Sequence, residues 1–220
     1  MRCQELRVEP STCRFLAGGD RREGEPGSRM SNERFCLRVQ QEGKEMGTEI
    51  RKLKESDAAA LWELRMQALK TDAIAFAESV EELERTSVEE YATRLGKEGC
   101  DDFVFGAFDG ETMLGMTGFY REKADKLNHK GHVWGVFVAP GARGKALGRG
   151  LLEAVIQEAK RLSGLRSLLL TVTVTQKAAR HMYERLGFRI LATEPRSLRV
   201  GEEYFEEHHM ILEFEVSELG

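Results

Sequence analysis

Residues 166–174, RSLLLTVTV, form a run of Leu, Val and Thr with no polar alternation. A strand of that composition is buried on both faces, so other elements have to cover it on each side. The flanking segments supply the cover. Leu151, Leu152, Val155, Ile156, Ala159 and Leu162 share one face of a helix before the strand. After it, Ala179, Met182, Tyr183 and Leu186 recur at i, i+3, i+4 and i+7, and Gly187 stands where a left-handed C′ residue closes a helix. A doubly buried strand between two amphipathic helices commits the chain to a mixed α/β (α+β) domain with helices packed on a central sheet.

The remaining elements fit that frame. TEIRKLK (48–54) alternates as a first strand, and Ser56 or Asp57 can cap a helix carrying Leu61, Leu64, Ala68 and Leu69. Ser87 with Glu90 is a capping box that opens a second helix through Leu95. DFVFGAFDG (102–110), TMLGMTGFYRE (112–122) and HVWGVFVAP (132–140) read as three strands joined by hairpins, with Asp109-Gly110 as the first turn. Two more strands are expected near FRILATE (188–194) and HHMILEFEV (208–216). The sum is a mixed sheet of about six to seven strands flanked by about four helices.

Residues 1–46 differ from all this. GGDRREGEPGSRMSNER is dense in Gly, Ser, Pro and charge and lacks periodicity, so the segment is expected to be a disordered extension. QEGKE, just before Met46, would be encoded by a purine-rich run of the kind expected at a ribosome-binding site, which makes Met46 the expected native start and 47–220 the domain. Four cysteines fall at 3, 13, 36 and 100 without C-x-x-C spacing, so no metal is expected; a lone Cys100 in the domain fits a reducing cytoplasm. No apolar stretch is long enough for a membrane span or a secretory signal. A net charge of −4 excludes a global basic field for nucleic acid.

Any anion site must therefore be local, and one stretch supplies it. In VAPGARGKALGRGLLEAV (138–155) a strand ends, a small-residue loop carries Arg143, Lys145 and Arg149, and a helix begins. Two phosphate motifs are excluded. A P-loop needs Gly at Ala139 and a hydroxyl at Ala146, and the dinucleotide pattern fails because Gly148 and Gly150 are followed by Leu, Leu and Glu. What remains is a helix mouth with unpaired N–H groups, the positive end of the dipole, and side chains at Gly144, Ala146 and Gly148 too small to block approach. A pyrophosphate suits such a mouth; an ordinary solvated loop with three surface cations is the plainer alternative.

At this point the sequence resembles the GNAT superfamily of N-acetyltransferases. Its signature of Arg or Gln, two variable residues, Gly, one variable residue and Gly or Ala reads here Arg143-Gly144-Lys145-Ala146-Leu147-Gly148, with Ala146 replacing the usual central Gly. QKAARHMYERLGF supplies the family's second element, with Gln176 in an Asn position followed by Ala179, Tyr183, Gly187 and Phe188. The resemblance spans roughly residues 48–214. It implies that the amides from Arg143 to Arg149 hold the pyrophosphate of acetyl-CoA, that Phe137 and Val138 offer backbone groups to the pantetheine arm, and that Gln176 lies near the cofactor. It also implies that Tyr183 protonates the departing thiolate; by spacing alone, Tyr183 is a packing residue.

Relatives carry a Glu near Val133 and Trp134, and no carboxylate stands there in this chain. His132 is the alternative base, with an intrinsic pKa suited to the task, though a surface or structural histidine is the plainer reading. Glu206, Glu207, His208 and His209 are further candidates, and strand alternation lets at most one pair face a cleft. Glu78, Glu81, Glu82 and Glu84 make 70–90 acidic, which suits a cationic amine or a solvated helix face; Phe76 lines an acceptor pocket or fills the core.

The expected activity is direct transfer from acetyl-CoA to a primary amine, on a small molecule, in the cytoplasm. A protein N-terminus or lysine as acceptor, and a non-catalytic acyl-CoA-binding regulatory module, are the alternatives. Homodimerisation is left open. Deleting residues 1–45 should change neither the thermal unfolding midpoint nor turnover; a large loss of either overturns the assignment of Met46.

Overall fold

The computed structural model describes residues 47–97 and 101–214. The proposed extension and Cys100 lie outside the described residues. Seven strands make one sheet: β1 (Glu49–Lys52), β2 (Phe103–Asp109), β3 (Thr112–Arg121), β4 (Lys130–Val138), β5 (Ser167–Thr173), β6 (Arg189–Val200) and β7 (Glu203–Glu213). They lie in the order β1-β2-β3-β4-β5-β7-β6. Neighbours run antiparallel except β4 and β5, which are parallel and joined by a helical crossover.

Helices cover both faces. On one lie α4 (Leu147–Lys160) and α5 (Lys177–Arg185), whose apolar stripes meet Phe105, Phe119, Val133, Leu168 and Met210. On the other, α1 (Ala58–Thr71), α2 (Val80–Glu84) and α3 (Val88–Leu95) cover Val104, Phe108, Met116 and Phe137. Each Leu fully buried in these layers contributes roughly 1.5–3 kcal/mol. Leu152 and Leu168 have no exposed surface at all, so truncating either to Ala would cost about 2–5 kcal/mol.

The expected capping box is present: Ser87 Oγ accepts the Glu90 amide at 3.2 Å and the Glu90 carboxylate accepts the Ser87 amide at 3.0 Å. An equivalent box at Ser79 and Glu82 opens α2. Five α-helices therefore stand among the described residues where about four were expected, because the acidic run at 78–84 hides a five-residue helix. Asp57 occupies the N-cap of α1 but its carboxylate caps nothing in that helix. It pairs with Arg51 at 2.7 and 2.8 Å and accepts the Lys54 amide. The Arg51 hydrogen bond holds its pKa below the ordinary carboxylate value.

The last two strands are longer than FRILATE and HHMILEFEV indicate. They form one long hairpin, turning at Gly201 with positive φ. Pro195 breaks the pattern in the sequence. In the structure it sits where the ladder is interrupted, between the Glu194 and Leu198 pairings, so its missing N–H costs no ladder bond.

One distortion sets the functional geometry. The β3–β4 register shifts between Met116 and Gly118, and Gly135 of β4 has φ +64°, a left-handed conformation that side chains resist. Trp134, beside it, lies directly on Gly118, where an added Cβ would fall 2.1 Å from the indole. β4 bulges here against β3, with one residue more than its partner between the two pairings.

Candidate active site

β4 and β5 pair over only three positions: Lys130 with Ser167, Gly131 with Leu168, and His132 with Leu169. β4 then runs on to Val138 and β5 to Thr173 without pairing to each other. On its other edge β4 stays paired to β3 through Phe137 and Val138. The edge facing β5 thus presents unpaired backbone groups, a template for an extended chain carrying amides. The opening widens toward the C-terminal ends of both strands.

A strap crosses that opening. The segment after α1 is tied to β5 by Thr173 Oγ1, which donates to the Ile74 carbonyl at 2.5 Å. It is tied to the loop after β4 by an ion pair of Asp72 with Arg143. Phe76 packs edge-on against Phe137, ring centres 6.3 Å apart, and is buried. Phe76 therefore fills the core on the α1 side of the opening.

The loop then delivers α4. Gly144 (φ +80°) and Ala146 (φ +58°) both adopt left-handed backbone, and Ala146 is the N-cap. No side chain caps α4, and its first turn holds no acidic residue. The amides of Leu147, Gly148 and Arg149 thus begin the helix without a side-chain acceptor, at the positive end of its dipole. The cations differ. Arg143 is engaged, its Nε donating to the Val138 carbonyl at 3.0 Å and its head group on Asp72. Arg149 pairs with Glu153 at 2.7 Å. Lys145 is exposed and has no ion-pair partner among the described residues.

Tyr183 lies at the same mouth. A Cβ at Gly148 would sit 3.4 Å from Met182 Sδ, so the turn of α5 bearing Tyr183 packs on the first turn of α4. Tyr183 is buried, with Phe188 edge-on at 6.1 Å, and burial pushes its pKa well above the ordinary phenol value. Its hydroxyl hydrogen-bonds to no described residue. Gln176, half-buried at the N-cap of α5, likewise makes no side-chain capping bond.

His132 is on the other face, three residues before the bulge. Its ring stacks on Tyr120 (4.7 Å, 10°) and its Nε2 lies 2.9 Å from Glu122 Oε1. An ionised carboxylate only accepts, so Nε2 carries the proton and Nδ1 the lone pair. Burial lowers the His132 pKa, outweighing the upward pull of Glu122. The sheet separates His132 from Tyr183. Of the other candidates, His208 is buried with Nδ1 2.8 Å from Thr193 Oγ1, His209 binds Glu194, and Glu207 accepts from Ser197. No group of side chains among the described residues could hold a metal ion.

A family model described as Acetyltransferase (GNAT) family matches residues 60–188. The chain belongs to this family. It is 38% identical over 90 residues to a mycothiol acetyltransferase of Streptomyces scabiei, and 31% identical over 145 residues to one of Geodermatophilus obscurus. Those alignments take in 41% and 64% of this chain but only 28% and 44% of the relatives' length, so the chain spans less than half of either. Among solved structures, a GNAT acetyltransferase from Streptococcus pneumoniae superposes with a TM-score of 0.70 at 24% identity, covering 76% of this chain and 99% of that one. A putative acetyltransferase from Salmonella typhimurium, determined with its cofactor acetyl-CoA, gives 0.64 at 24% identity over 76% and 93%. At such identity these likenesses establish the fold.

With the GNAT fold in place, one residue of the site stands out that the motifs did not indicate. Arg65 of α1 is buried, its Nε donating to Glu78 at 2.8 Å, and its guanidinium abuts Gly135. Its signal was present in the sequence: Leu61, Leu64, Arg65 and Ala68 share one helix face, and a cation on an apolar stripe is out of place there. Ala146 also gains a physical meaning, since the left-handed conformation penalises a Cβ by about 1–2 kcal/mol. Ala146→Gly should raise the unfolding midpoint by roughly 2–4 °C per kcal/mol relieved, and leave acetyl-CoA affinity equal or tighter. A lowered midpoint, or clearly weaker binding in a titration, contradicts this account.

Proposed function

We propose that the protein is an acetyl-CoA-dependent N-acetyltransferase acting on a primary amine of a small molecule by direct transfer. The parted strands carry the reading: an unpaired β4 edge leads from the bulge to an uncapped helix start, with Tyr183 beside it. Acetyl-CoA fits these features, because its pantetheine amides match a free strand edge and its pyrophosphate matches the amides of 147–149. When bound, it supplies the activated acetyl thioester. Lys145 adds charge at the pyrophosphate, while Arg143 fixes the loop through Asp72. The mycothiol acetyltransferase relatives support a small-molecule acceptor.

The amine nitrogen bonds to the thioester carbon, the carbon–sulfur bond breaks, and two protons have to move. A lysine-like amine costs about 4–5 kcal/mol to deprotonate at neutral pH, so a base is useful. Nδ1 of His132, oriented by Glu122, takes that proton. The imidazole lies about 10 Å along the strand from Gly135, so the proton travels through water. Tyr183 donates to the departing sulfur. Its raised pKa keeps the phenol protonated until the thiolate forms.

An acceptor screen with acetyl-CoA, read by free thiol and confirmed by product mass, tests the activity; binding without turnover on every amine would indicate a regulatory module. Tyr183→Phe should lower kcat by about 10²-fold or more with little change in acetyl-CoA binding, and an unchanged kcat removes Tyr183 from the mechanism.

His132 acts as a base only when neutral. Activity is therefore retained above its pKa and lost as pH falls through it. Because burial holds that pKa below the ordinary 6.5, the acid limb of kcat/KM should lie below pH 6.5. Glu122→Gln removes the upward pull and should shift the limb further down. In His132→Gln the limb should disappear; a wild-type limb that persists there excludes His132.

A further inference from the structure

A cavity of about 220 Å³ lies between α1, α3 and the sheet, on the face opposite Tyr183. Roughly seven waters would fill it, the scale of a small amino acid. Leu61, Leu95 and Val104 make its apolar lining, with the rings of Tyr91 and Trp134. Three charged side chains interrupt that lining: Arg65, Arg94 and Glu78. Two cations against one carboxylate leave one positive charge uncompensated.

Arg94 is exposed and its charge is solvated; what is left unanswered is a donor of Arg65. A guanidinium carries five N–H donors. The Nε of Arg65 donates to Glu78 Oε2 at 2.8 Å, while Nη1 is buried from water and has no acceptor among the described residues. Arg65 as a whole is only 8% exposed. Its plane is fixed between two rings, with Phe76 at 5.0 Å and Trp134 at 5.4 Å from the guanidinium carbon. Surface arginines leave donors to solvent; this one cannot, so its acceptor has to come from a ligand seated in the cavity, with the side chains packed over Nη1 giving way to it. Glu78 occupies Nε and the Tyr91 hydroxyl lies beside the guanidinium, so a carboxylate taking the Nη1–Nη2 edge, the fork that pairs it bidentately, displaces only a phenol.

Position then decides what else the ligand carries. Nη1 lies 3.0 Å from where a Cβ of Gly135 would stand, against the bulge at which β4 leaves β5. We propose that Arg65 binds the carboxylate of the acceptor, and that the acceptor is an apolar α-amino acid. In an α-amino acid the amine is two bonds from the carboxylate carbon. A carboxylate on Arg65 therefore sets the amine at the bulge, where the parted strands admit the thioester, and the side chain lies among Leu61, Leu95, Val104 and Trp134. Glu78, on the other side of Arg65, keeps the guanidinium in place and offers the incoming ammonium a partner. This assignment rests on the transfer to a small-molecule amine proposed above and narrows it to one class.

Matched pairs of ligands test it by binding alone, without turnover. The full chain saturated with coenzyme A is titrated by calorimetry with L-methionine against 3-(methylthio)propylamine, and with L-phenylalanine against 2-phenylethylamine. The acid of at least one pair should bind about tenfold tighter or more than its decarboxylated partner, as a charge-assisted fork requires. In Arg65→Gln that preference should collapse to near unity while acetyl-CoA affinity is kept. In Arg65→Lys, which retains charge but not the fork, it should fall partway. Equal binding of acid and amine by the wild type, no binding by either acid, or a preference that survives Arg65→Gln each overturns the proposal. The wild-type comparison stands even if both variants misfold. Failure of the transferase reading looks different: the carboxylate preference persists, and no amine or amino acid is acetylated.

Discussion

The site exists because β4 and β5 stop pairing after three residues. A parallel pair in the middle of a sheet ordinarily continues, since each unmade ladder bond leaves a polar group to be satisfied elsewhere. Here the bulge at Trp134 and Gly135 turns β4 away. Gly135 supplies a backbone angle other residues resist, and Gly118 leaves room for the Trp134 indole to lie on the neighbouring strand. The unmade bonds are the edge proposed to receive the pantetheine arm. The same bulge brings Arg65 against the backbone at the point where the strands separate.

Elements on both faces converge on that gap. The connection after α1 spans it, fastened to β5 through Thr173 and Ile74, to the loop through Asp72 and Arg143, and to β4 through Phe76 and Phe137. Arg143 therefore works chiefly as a brace. Its charge is answered by Asp72, as that of Arg149 is by Glu153, so the anion binding proposed for the loop rests on Lys145 and the backbone amides. This division follows from solvation: a paired surface cation contributes little field, whereas amides aligned at a helix start keep their dipoles whatever the neighbouring charges do.

Much of this was legible in residue order. The doubly buried strand at 167–173, the helices around it, the Ser87 capping box and the Asp109-Gly110 turn all rest on interactions within a few residues of one another, and each recurs in the structure. The errors came where local pattern and tertiary context diverge. The helix at 80–84 was obscured because five residues are too few to show an apolar stripe, with Leu83 its one buried side chain. The hairpin through Pro195 was obscured because an edge strand buries too little to alternate cleanly. Ser56 or Asp57 was expected to cap α1; Asp57 stands at the N-cap position, but its carboxylate pairs with Arg51, a partner on a different element.

The sequence by itself determined the layers and the small-residue loop at a helix start, because periodicity and spacing encode contacts along one element, while Tyr183 stood out only through the family pattern. Only the tertiary structure decided where β4 and β5 part, that His132 and Tyr183 face opposite sides of the sheet, and that Arg65 is left with an unanswered donor beside the gap. Those facts depend on pairings between residues far apart in the chain, and on the water that packing excludes. No local pattern carries the desolvation of a side chain whose walls come from α1, α3, β2 and β4 together.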